Sequence, residues 1–68
     1  MENFNEIMEG IRKAINDERQ AQEHYRMLEE KTADEKVKAV FQQMRKDEEE
    51  HERILESRLE AFKKLYEG

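Results

Sequence analysis

The chain contains no cysteine and no proline, and its only glycines are Gly10 and Gly68. Without cysteine, disulfides and thiolate metal sites are excluded. Without proline, nothing forces a break inside a helix. Runs that alternate apolar and polar residues are missing and β-branched residues are scarce, which argues against a sheet. No apolar stretch approaches the roughly 20 residues of a membrane span. Met1-Glu2-Asn3-Phe4 lacks the basic and apolar regions of a signal peptide. The formal net charge is -5 and no basic patch stands out. That balance disfavours nucleic acid and anionic membranes as partners. The expectation is a cytoplasmic protein with no nucleic-acid and no membrane partner.

What remains is helix-forming material. Of 68 residues, 46% are charged and 35% hydrophobic, dominated by Glu, Lys, Arg, Gln, Ala, Leu and Met. The chain is expected to be all-α, one small domain over residues 1–68. A chain this short and polar buries a modest core and usually needs disulfides, a metal or oligomerisation. With no cysteine, oligomerisation and metal are left.

Helix one is expected over about residues 4–30. Its apolar or small residues are Phe4, Ile7, Met8, Ile11, Ala14, Ile15, Ala21, Tyr25 and Leu28, a seam of heptad character. Gly10 interrupts this pattern, to permit close helix approach or simply as a tolerated residue. The plausible break is Glu30-Lys31-Thr32-Ala33-Asp34-Glu35. Thr32 followed by Glu35 has the spacing of a capping box, so helix two is expected from about 33 to about 66. So short a connection makes the helices antiparallel neighbours. A hairpin covers each seam on one side only. Pairing two hairpins into a four-helix bundle would cover the rest.

Polar residues interrupt both seams. Helix two reads Val37, Phe41, Met44, Glu48, His51, Leu55, in steps of four, three, four, three, four. On helix one, the row Phe4, Ile11, Glu18, Tyr25 carries a carboxylate at its third position. Such groups are destabilising in a seam unless compensated, and an i, i+3 Glu and His share one helix face and can address one metal ion. With residue 32 as the turn centre, Glu18 lies 14 residues before it, and Glu48 and His51 lie 16 and 19 after it. At 1.5 Å per residue these are about 21, 24 and 28 Å from the turn, nearly one level. A two-fold dimer would bring four Glu and two His to its centre. Carboxylate and imidazole suit Fe, Mn or Zn.

Helix one reads Glu18-Arg19-Gln20-Ala21-Gln22-Glu23-His24-Tyr25, and helix two Asp47-Glu48-Glu49-Glu50-His51. These segments resemble the rubrerythrin and bacterioferritin branch of the ferritin-like superfamily. The resemblance spans residues 14–55, about one helix pair. It implies a ferritin-like four-helix bundle made by a homodimer at least, like the two-helix encapsulated ferritins that build their site across a dimer interface. It implies a di-iron centre with Glu18, Glu48 and His51 as ligands. Ala21 corresponds to a small residue near the metal, Tyr25 to a tyrosine that hydrogen-bonds a ligand carboxylate, and Asp47 to a residue that orients the ligand histidine. The implied activity is that of a ferroxidase or a rubrerythrin-like peroxidase, with oxygen or peroxide as the small oxidant. The chain departs from the family in having two helices rather than four and no rubredoxin-like cysteine module. Leu65-Tyr66-Glu67-Gly68 shows no capsid-docking extension.

Blander readings stand beside these. Glu18, Glu48 and His51 also fit a metal-free, self-associating helical interaction module whose polar layer sets register. Tyr25 alone could be an ordinary core tyrosine, and Asp47 an exposed acid. His24 lies off the seam and reads as solvated. Glu49, Glu50 and Glu52 read as a solvated helix face. Met8, Met27 and Met44 read as packing residues.

Overall fold

The computed structural model describes residues 3–67 and contains two helices, α1 (Phe4–Glu30) and α2 (Glu35–Glu67). They pack against each other as an antiparallel all-α hairpin, a rod with extents of 52 × 16 × 12 Å. The long dimension is the length of α2, since 33 residues at 1.5 Å span about 50 Å. The expectations about the two chain ends rest partly on Met1, Glu2 and Gly68, which lie outside the described residues.

Each helix start is built by a short polar side chain. Asn3, in extended backbone, accepts from the Glu6 N–H at 3.1 Å and caps α1. The start of α2 departs from the capping box expected of Thr32 and Glu35. Asp34 is the cap: its Oδ1 accepts from the N–H groups of Lys36 (2.8 Å) and Val37 (3.2 Å). Thr32 sits one step earlier, its hydroxyl accepting from the Asp34 N–H at 3.1 Å. The physical reason is competition. An Asp carboxylate at the first α2 turn accepts two backbone N–H bonds and also meets the positive helix end. The threonine hydroxyl closes the preceding turn instead. Helix α2 therefore begins at Glu35, not at 33.

Little of this rod is interior. Among the described residues only Ile15 and Leu59 are buried, and no side chain is fully enclosed. At the open end, Phe4 packs on Phe62 and Tyr66, with ring centroids 5.6 and 4.1 Å apart. Large apolar groups nonetheless stay out along the rod: Ile7, Met27, Val37, Val40, Ile54, Leu65 and, despite its ring contact, Tyr66 are all exposed. The accessible surface is 5427 Å², whereas a compact monomer of 8.3 kDa exposes about 4,600 Å². No helix among the described residues is long and apolar enough to cross a membrane.

Gly10 brings nothing close. A methyl group there would find no heavy atom within 4 Å beyond its own helix. Gly10→Ala is therefore expected to raise stability by about 0.5–1 kcal/mol in thermal or urea unfolding. Asp34→Ala should lower it by about 1 kcal/mol, whereas Glu35→Ala should change it by less than about 0.5 kcal/mol. Equal effects at 34 and 35 would contradict the observed cap.

Candidate metal centre

Glu18 comes from the middle of α1, and Glu48 and His51 from one face of α2. Antiparallel packing brings their donor atoms within 4.8 Å of one another. His51 Nδ1 lies 3.5 Å from Glu48 Oε2 and 3.7 Å from Glu18 Oε2. These separations are too long for hydrogen bonds. They are the spacing of ligands that each lie about 2.1 Å from a shared ion.

The Glu18 carboxylate carries the clearest sign of an incomplete site. Its side chain is 24% exposed, yet Oε2 itself is buried and has no hydrogen-bond partner. A buried, unpaired carboxylate oxygen costs about 1–3 kcal/mol or more. Glu48 is similarly covered, at 20%, while His51 is 55% exposed and forms the open edge. Tyr25, Met44, Asp47 and Glu50 line a cleft together with Glu48 and His51. Two carboxylates and one imidazole are a donor set that iron, manganese and zinc all accept. The residues present fit a divalent metal: the donors converge, and one has no other partner.

Residues 9–67 match the family model described as Rubrerythrin. The chain belongs to the rubrerythrin family. No curated protein and no solved structure matches it.

In this rubrerythrin-family hairpin the three residues singled out on the seams, Glu18, Glu48 and His51, are brought to one place. Tyr25 is half-buried and borders the same cleft. Ala21 is half-buried on α1, one turn from Glu18. Asp47 borders the cleft too, and its Oδ1 accepts from Gln43 Nε2 at 2.9 Å. His24, Glu49 and Glu50 are exposed.

Glu52 departs from the solvated face expected of it. Its side chain is only 20% exposed, and both oxygens are bonded across the hairpin. Gln22 Nε2 donates to Oε1 at 2.7 Å and Arg19 Nε to Oε2 at 3.0 Å. Arg19 Nη2 also donates to Glu56 Oε1 at 3.1 Å. The signal was present as complementary rows, Arg19, Gln22, Arg26 and Glu29 on α1 against Gln42, Arg45, Glu49, Glu52 and Glu56 on α2. Rows of this spacing flank a helix–helix seam. The hydrogen bond from Gln22, then that from Arg19, holds the Glu52 carboxyl below the usual carboxylate range. The same pairing raises the already high pKa of Arg19.

A lowered folded-state pKa stabilises the fold above the ordinary carboxylate value of 4.5, and the contribution disappears as pH falls through the depressed value. A gap in melting temperature between the natural chain and Glu52→Gln is thus expected at neutral pH. It should close as the pH falls below the ordinary carboxylate value and on through the depressed value of Glu52. A gap independent of pH would contradict the assigned cause.

Proposed function

We propose that this chain is a di-iron carboxylate protein whose metal site is completed by a second copy of the same chain. The observation that carries the reading is the convergence of Glu18, Glu48 and His51 around a carboxylate oxygen that has no partner. Three donors from one hairpin leave coordination positions unfilled. The line of α2 that carries His51 also carries the exposed Val37, Val40, Ile54 and Leu65. These lie 14, 11, 3 and 14 residues from His51, close to whole helical turns. The half-built site thus sits on an uncovered apolar stripe. The surface exposed beyond that of a compact monomer is about 800 Å², which is what one partner contributes to an interface of standard size.

In the assembled bundle each chain would supply Glu18, Glu48 and His51, so that four carboxylates offset the charge of two divalent ions. When bound, iron supplies one-electron redox chemistry toward oxygen or peroxide, for iron oxidation and handling or for peroxide reduction. Glu18 and Glu48 would hold the cation by charge. His51 would present an imidazole nitrogen. Tyr25 and Asp47 border the same cleft; on this reading Tyr25 would donate a hydrogen bond to a ligand carboxylate and Asp47 would orient the His51 ring, as partners of this kind do around metal ligands. Met44 lines the cleft with an apolar side chain. A cytoplasmic setting accords with the absence of cysteine.

The uncovered stripe by itself would equally serve a metal-free module that self-associates, and metal content separates the two. Protein produced with iron should carry about one ion per chain by elemental analysis and sediment as a dimer or larger. Glu48→Ala should lose the metal. Glu18→Leu should also lose it while raising the melting temperature of the apoprotein, because the orphaned oxygen is gone. Undiminished metal in Glu48→Ala would sink the assignment.

A further inference from the structure

The metal site proposed above demands accuracy that this hairpin has little means to provide through its core. Metal–ligand distances hold within about 0.2 Å, while sliding one helix by a single residue moves its side chains about 1.5 Å. Apolar contact is non-directional and fixes axial register poorly unless side chains interlock. Among the described residues only Ile15 and Leu59 are buried. The connection at residues 31–34 sets register where it lies, yet Glu18 is about 21 Å away from it along α1.

Directional contacts across the seam occur at two levels. Near the turn, Glu29 accepts from Gln42 at 2.8 Å and from Arg45 at 3.1 Å. At the level of the site, Glu52 accepts from Arg19 and Gln22, and Arg19 reaches on to Glu56. Arg19 directly follows Glu18 in the chain, and Glu52 directly follows His51. Each end of this cross-link is therefore one peptide unit from a donor on its own helix. The guanidinium is a planar fork engaging two carboxylates on successive turns of α2, so it resists both sliding and splaying.

We propose that Arg19, Gln22 and Glu52 are positioning residues for the metal site, a register clamp that holds Glu18 of α1 level with Glu48 and His51 of α2. Their role is geometric and they do not bind the ion. The inference rests on the metal-binding reading of Glu18, Glu48 and His51.

The sign of one substitution separates register from simple charge. Arg19→Glu adds negative charge beside the site, so long-range electrostatics alone would tighten cation binding. Loss of register would weaken it. Titration with Co(II), followed by its visible absorption, is expected to give an affinity at least about tenfold lower for Arg19→Glu and for Glu52→Arg, in the range typical of residues that support metal ligands. Helical content by circular dichroism should be retained. The double charge reversal Arg19→Glu/Glu52→Arg should recover most of the loss, while Arg45→Met, which opens only the contact near the turn, should bind like the natural chain. Glu52→Gln, which keeps shape and cannot unfold the hairpin by charge reversal, should weaken binding by about threefold. Natural affinity in Arg19→Glu and Glu52→Gln, or a loss in Arg45→Met equal to theirs, would overturn the clamp alone. Failure of the natural chain to bind Co(II) would overturn the metal reading and, with it, the positioning role.

Discussion

Glu18 Oε2 is buried and has no hydrogen-bond partner among the described side chains and backbone. A buried carboxylate in that state is among the more costly features a small domain can carry, and a chain of this size has few contacts with which to offset it. The imidazole nitrogen of His51 on α2 lies 3.7 Å away, too far to bond and suitably spaced to share an ion. The arrangement around it becomes intelligible once a cation is supplied. Glu48 and His51 stand on the facing helix, and Tyr25 and Asp47 border the cleft.

The same constraint joins metal to assembly. Two long helices side by side cannot enclose a core, and this pair buries only two apolar side chains among the described residues. The exposed Val37, Val40, Ile54 and Leu65 of α2 follow the line of His51, so the uncovered apolar stripe and the candidate donor set share one side of that helix. On the proposed reading a second hairpin answers both needs at once. The protein then has no separate structural and functional halves: the layer that binds metal is the middle of the layer that holds the bundle together.

Much of the candidate site was legible in the sequence, because two kinds of local regularity sufficed. Heptad spacing placed Glu18, Glu48 and His51 on seams, and the constant rise of a helix placed them at one level from a short turn. Family membership over residues 9–67 accords with the resemblance read from Glu18 to Tyr25 and Asp47 to His51. Where reading failed, two residues competed for one role. Thr32 and Asp34 can both cap a helix, and their spacing does not say which will accept from the first turn of α2. The difference is that the Asp34 carboxylate bonds two N–H groups there, while the Thr32 hydroxyl turns back to Asp34. Glu52 was lost among neighbouring acids because Glu49, Glu50 and Glu52 are chemically alike and only the rotation of α2 against α1 tells them apart.

The sequence by itself determined an all-α chain, two helices joined by a tight connection, a seam on each, and two carboxylates and an imidazole at one level on those seams. Those properties follow from residue type and from periodicities that repeat along a single helix. Only the tertiary structure decided that a Glu18 oxygen would be left unpaired, that His51 would form the open edge, and that Glu52 would be tied to Arg19 and Gln22 rather than to solvent. Each of these depends on the angle at which one helix presents its side chains to the other. A difference of one residue turns a side chain by about 100°, enough to separate a cross-link from a solvated charge.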